Sequence, residues 1–160
     1  MSRLDSMLRR LAAQRDGLDW AARQIADCPG DVLELGLGNG RTYDHLREIL
    51  RDRRIRVIER EVQAHHSCVP PDSDLLLGEA APMLTLLARD GASVALAHYD
   101  LGFGVEALDI AEAAQLSPLL AAVMRPCGII VSGQPLVGFV RLPDLPGIGQ
   151  DRYFLYRQPG

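Results

Sequence analysis

The sequence predicts an α/β fold: a doubly wound, mostly parallel sheet with helices on both faces and a C-terminal antiparallel strand pair. Three observations carry that expectation. Short apolar runs alternate with segments of helical period from residue 31 to residue 132, which is the pattern of successive βαβ units. The first of these runs flows into a turn with glycines at 36, 38 and 40, followed by a helix start. The last two strand-like runs are joined by a loop too short for a crossover helix, so they must pair antiparallel.

The elements follow in order. Leu4, Leu8 and Leu11 recur at helical spacing behind a Ser2/Asp5 capping pattern, which opens a first helix. Asp16 and Gly17 are expected to break it, with a second helical piece over 18–26 that carries Trp20 and Ile25 and ends at Pro29 and Gly30. Residues 31–35 read as a buried strand and 41–50 as a helix through Leu46, Ile49 and Leu50. A strand at 55–59, a short helix or turn at 62–68 closed by Pro70 and Pro71, a strand at 74–77 and a helix at 80–88 come next. Then come a strand at 93–99, a mostly helical stretch at 105–124 with a break near Ser117 and Pro118, and a strand at 128–132. The tail supplies strand-like runs at 137–142 and 152–156 around Pro143, Pro146, Gly147 and Gly149. One domain over 1–160 is expected, with residues 1–28 as a helical cover and 31–160 as the core.

Composition narrows the function classes. The 160 residues carry a formal net charge of -4, which leaves no electrostatic footprint for nucleic acid or an anionic membrane. Arg9 and Arg10, and the run Arg51, Arg53, Arg54 and Arg56, are interleaved with acids and apolar residues and read as solvated element ends. All 17 basic residues are arginine, so lysine chemistry, including Schiff-base catalysis, is excluded. Cys28, Cys68 and Cys127 are odd in number and far apart in sequence, so neither a disulfide framework nor a zinc ribbon is expected, and a reducing cytoplasm is the expected setting. The N-terminal stretch is interrupted by charges and reads as neither a signal peptide nor a membrane span. His65, His66 and Cys68 sit in a loop without an obvious fourth ligand; no metal is expected there.

The run DVLELGLGNGRT at 31–42 is the most informative stretch. A strand, a glycine-rich turn and a helix start let backbone approach a ligand closely, because glycine lacks a Cβ and tolerates positive φ. A dinucleotide fingerprint needs Gly-x-Gly-x-x-Gly, and here the third glycine comes one residue early. Glu34 at the strand end would repel a pyrophosphate but suits a ligand with a cationic centre.

This stretch, VLELGLGNGRT, resembles the Glu-x-Gly-x-Gly-x-Gly motif of class I S-adenosylmethionine-dependent methyltransferases, whose core is Rossmann-like. Three further features match in order: Glu59 at the end of the next strand, Gly78-Glu79-Ala80 after the third, and Asp100 at the end of the fourth. The resemblance implies S-adenosyl-L-methionine as cofactor. Glu34 with Gly36, Leu37, Gly38, Asn39 and Gly40 would hold the aminoacyl end, Glu59 with Arg60 the ribose, and Gly78, Glu79 and Ala80 the adenine. Asn39 is the only asparagine in the chain and suits a left-handed turn position. Thr42 either bonds the methionine carboxylate or caps its helix. Trp20 is either a lid over the ligand or a core or oligomer-contact aromatic.

Methyl transfer is an in-line displacement that chiefly requires positioning and exclusion of water. His98 and Asp100 are the candidate bases, His98 also being a candidate cofactor contact, although strand alternation lets only one of His98 and Tyr99 face the site. The Asn-Pro-Pro-Tyr signature of many nucleobase amino-methyltransferases is replaced by Asp100-Leu101-Gly102-Phe103, and the Asp-Asn pair of metal-dependent catechol-type enzymes by Ser132-Gly133-Gln134. The helix that usually follows the fifth strand is missing. A small-molecule acceptor and a homodimer or higher homo-oligomer are expected. The rival readings are a cofactor-binding module without turnover and a nicotinamide-dependent oxidoreductase, which the glycine spacing and Glu34 disfavour.

Overall fold

A computed structural model describes residues 2–149 and 153–160. Seven strands form one sheet: β1 (Asp31–Leu35), β2 (Ile55–Glu59), β3 (Leu75–Leu77), β4 (Val94–Tyr99), β5 (Met124–Ser132), β6 (Val140–Arg141) and β7 (Phe154–Arg157). Their order is β3-β2-β1-β4-β5-β7-β6. The first five are parallel; β7 pairs antiparallel with both β5 and β6. The doubly wound sheet and the antiparallel tail therefore stand as expected. The tail run beginning at Arg152 lies partly outside the described residues, and its described part forms β7.

Four helices cover the two faces: α1 (Arg3–Gln24), α2 (Arg41–Ile49), α3 (Ala80–Arg89) and α4 (Glu106–Ala121). On one face Leu18 and Ala21 of α1, Ile25 at its C-terminal cap and Leu46 of α2 bury against Val32, Val57, Leu96 and Val131. On the other, Leu84 and Leu87 of α3 and Leu116 and Leu120 of α4 bury against Leu33, Leu35, Ala97 and Ile130. Both sheet faces are covered, which is why the central strands read as continuous apolar runs rather than alternating ones.

Three expectations are corrected. First, α1 does not break at Asp16 and Gly17; a Cβ on Gly17 would stand 3.1 Å from Val131 Cγ1. The glycine lets the helix lie close against β5, and that packing outweighs a propensity penalty of about 1 kcal/mol. Second, α4 runs through Pro118, and Ser117 Oγ donates to the Ala113 carbonyl at 2.7 Å. Third, Cys28 and Cys127 are joined in a disulfide across 99 residues of sequence, whereas count and sequence distance pointed to unpaired thiols. The fold brings the end of α1 beside the start of β5, a proximity that sequence spacing does not reveal. The segment 62–68 contains a short 3-10 turn, His66–Cys68. No helix among the described residues is long and apolar enough to cross a membrane.

Candidate cofactor and acceptor site

The strand order reverses between β1 and β4, and ligands of open α/β sheets bind outside the carboxyl ends of the strands at such a switch point. Gly36 follows β1 there, and Asp100 follows β4, with the Asp100 amide donating to the Leu35 carbonyl at 3.0 Å. Gly36 has φ 93°, and a Cβ on it would stand 2.9 Å from the Asp100 carbonyl oxygen. Glycine is required here for two strand ends to meet. Gly38 has φ 51° and nothing within 4 Å of the place its Cβ would take, so it presents bare backbone to open space. Gly40 serves packing instead: its Cβ would stand 2.5 Å from Cys68 Cβ.

That open space is a cavity of about 320 Å³ lined by Gly36, Leu37, Gly38, Asn39, Arg41 and Thr42 on the sheet side. One stripe of α1, Met7, Arg10, Leu11 and Gln14, roofs it, and Asp100 closes one end. A second cavity of about 320 Å³ continues from Asp100 past Gly102, Asp109, Gly133 and Gln134 to Tyr153. Arg10 and Asp100 border both.

Beyond the end of β2, Glu59 Oε2 accepts from the amides of Leu37 at 2.7 Å and Gly38 at 3.1 Å, and Oε1 from Arg60 N at 2.7 Å. The acid thus braces the glycine turn. Next to it, a narrow cleft is lined by Glu59, Arg60, Gly78, Glu79, Ala80, Leu101 and Glu112. Arg60 lies over the Phe103 ring at 4.7 Å and within 3.8 Å of Glu79. Glu112 was not singled out from sequence, where it reads as one more helix acid. Its Oε2 is buried without a partner. Burial and the nearby Glu79 and Asp109 raise its pKa, against the lowering effect of Arg60.

Two expected contacts lie elsewhere. Glu34 and His98 are both fully buried and line neither cavity. They are register neighbours on β1 and β4, so their side chains share a face. His98 Nδ1 lies 2.9 Å from Glu34 Oε2, and Thr42 Oγ1 donates to Glu34 Oε1. The carboxylate that suggested a cationic ligand is therefore spent on an internal imidazole and a hydroxyl, and His98 is too deeply placed to touch an acceptor. Burial pushes the His98 pKa down, but the charge and hydrogen bond of Glu34, with Asp100 behind them, hold it above 6.5.

From His98 a longer chain of hydrogen bonds runs outward. Its Nε2 lies 3.1 Å from Tyr153 Oη, which also receives Gln14 Nε2 at 2.7 Å. Tyr153 in turn donates its own proton to Asp100 Oδ1 at 3.1 Å. Burial and Asp100 hold that phenol well above its ordinary value, so it remains a donor. Gln14 Nε2 reaches Asp100 Oδ2 at 2.9 Å, and Arg10 Nη2 reaches Oδ1 at 2.8 Å. Arg10, Gln14 and Tyr153 carried no motif and sit far from Asp100 in sequence, so only the fold brings them there. Trp20 of α1 packs against the core rather than over the cavity. Among the described residues, no group of three or more His, Cys, Asp or Glu could hold a metal ion.

A glycine turn at the switch point, an acid ending the second strand and a Gly-acid-Ala step after the third define the class I S-adenosylmethionine-dependent methyltransferases. The chain belongs to the S-adenosyl-L-methionine methyltransferase family, whose model matches residues 1–158. It is 40% identical to an S-adenosyl-L-methionine methyltransferase from Silicibacter pomeroyi DSS-3, with a TM-score of 0.92 over 99% of each chain. Human methyltransferase-like protein 13, solved in complex with SAH, shares the fold at 12% identity and TM-score 0.60, over 98% of this chain and 81% of that one. The sugar methyltransferase CalS11, a TDP-rhamnose 3'-O-methyltransferase of calicheamicin biosynthesis, does so at 19% identity and TM-score 0.53, over 97% and 80%. No curated protein matches the chain. The protein is a methyltransferase that uses S-adenosyl-L-methionine.

The cavity fits that cofactor, because Gly38 leaves open the space a side chain would fill and the volume lies within the usual range of ligand pockets. Gly38→Ala is expected to cost about 1 to 2 kcal/mol of stability through its left-handed backbone, and to weaken cofactor binding at least about tenfold by placing a methyl group in the cavity. Denaturation and calorimetric titration check the two effects separately.

Proposed function

We propose that this enzyme methylates a small, polar acceptor bound in the second cavity, beside Asp100. The observation that carries the reading is the pair of cavities meeting at one carboxylate. When bound, S-adenosyl-L-methionine supplies an electrophilic methyl group on a sulfonium. The chain's part is positional. Gly36, Leu37, Gly38, Asn39 and Thr42 form the floor for the aminoacyl end. Glu59 and Arg60 flank the ribose, while Gly78, Glu79, Ala80 and the unpartnered oxygen of Glu112 take the nucleobase.

Asp100 is the acceptor-facing residue. Tyr153 and Gln14 orient its carboxylate, and His98 and Glu34 hold Tyr153 in its donor role. A carboxylate held this way accepts an N–H or O–H from the acceptor and aligns its lone pair, which is where orientation contributes most to rate. Among the described residues, Arg10 is the one basic side chain bordering the second cavity, and it is already paired, so a polyanionic acceptor fits poorly. An amine or alcohol fits well.

The test is a panel of small amines and alcohols with methyl-labelled S-adenosyl-L-methionine, run beside Asp100→Asn. Turnover on a small acceptor, reduced about a hundredfold or more in the variant, supports the proposal. Label entering only protein or nucleic acid would contradict it. The exposed apolar residues Leu4, Met7 and Leu8 of α1 support a homo-oligomer, which light scattering checks; a monomer would contradict it.

A further inference from the structure

Among the described residues, the Asp100 carboxylate has three donors of unequal exposure. Gln14 and Tyr153 are 5% and 2% exposed and fixed in the core, whereas the Arg10 side chain is 60% exposed. An exposed ion pair contributes little to stability. Asp100 thus keeps two buried donors if Arg10 leaves, and the departure is inexpensive.

Charge gives that departure a direction. His98 faces Glu34, and Arg10 pairs with Asp100. Loss of Arg10 alone leaves one negative charge at the place where the cavities meet. Arg10 also borders the cofactor cavity directly, where the cofactor brings an amino-acid carboxylate together with cationic centres.

We propose that Arg10 changes partner when the cofactor binds, leaving Asp100 for the cofactor's carboxylate. The exchange opens one hydrogen-bond position on Asp100 Oδ1, Tyr153 keeping the other, so the acceptor finds its hydrogen-bond acceptor only after the cofactor is in place. The inference rests on the cavity assignment above and adds an order of binding to it. Besides Arg10, the titratable or charged side chains around the two cavities are, among the described residues, Arg41, Asp100, Asp109 and Tyr153. Of these only Arg41 could compete for a carboxylate.

The test is calorimetric titration with S-adenosylhomocysteine and with 5′-methylthioadenosine, which keeps the nucleoside and lacks the amino acid. In Arg10→Ala, S-adenosylhomocysteine is expected to bind about tenfold or more weakly, methylthioadenosine as in the parent, and Arg10→Lys to recover part of the loss. In the parent, the Arg10 guanidinium resonance is expected to shift with S-adenosylhomocysteine and stay in place with methylthioadenosine. Equal weakening of both ligands in Arg10→Ala, or loss confined to Arg41→Ala, would overturn the exchange while leaving the cavity assignment intact. If neither ligand binds the parent protein, both fall.

Discussion

Glu34→Ala is expected to destabilise the fold by about 3 to 5 kcal/mol, because removing one partner of a buried ion pair strands the other. His98 is fully buried against Glu34, and Thr42 loses its acceptor in the same variant. The pair also predicts a pH dependence. The folded-state pKa of His98 is raised, burial being outweighed by Glu34 and Asp100, so the folded state binds a proton more tightly than the unfolded chain. Its stabilising contribution is fully present below the ordinary value of 6.5 and is lost as pH rises through the raised folded value. Chemical denaturation across that window should show this decline in the parent and a flatter profile in Glu34→Ala. Equal slopes would mean that the pair is not ionised as described.

Breaking the Cys28–Cys127 disulfide is expected to cost about 2 to 5 kcal/mol, since it closes a loop of 99 residues in sequence and long loops lose the most chain entropy when cross-linked. It also ties the end of α1 to the start of β5, and α1 carries Arg10 and Gln14 into the site. Cys28→Ser together with Cys127→Ser should lower the denaturation midpoint and weaken S-adenosylhomocysteine binding. Reductant should reproduce the shift in the parent and leave the double variant unchanged. An unchanged midpoint in the double variant would show that α1 is held by its packing alone.

Much of this was legible in the sequence, for physical reasons that differ by element. The parallel strands are predominantly apolar because both sheet faces are covered. Gly36, Glu59, Gly78 and Asp100 were placed correctly on strand ends because the motif order follows the chain through the switch point. The side of the sheet toward which Glu34 points was not legible, since a strand residue's face depends on register with its neighbours. Gly17 read as a break because a glycine in a helix carries no sign that a sheet lies against it. The roles of Gln14, Tyr153 and Arg10 come from contacts across as many as 139 residues, and no local pattern encodes them.

The central claim is that the cofactor's sulfur is presented where the two cavities meet, beside Asp100. The most direct measurement is a crystal structure with S-adenosylhomocysteine bound. In that structure the amino-acid tail is expected over Gly36 to Asn39, the ribose at Glu59, the base against Glu79 and Glu112, and the sulfur facing Asp100 and the second cavity. A ligand bound with its sulfur turned away from Asp100, or outside the glycine turn, would contradict it.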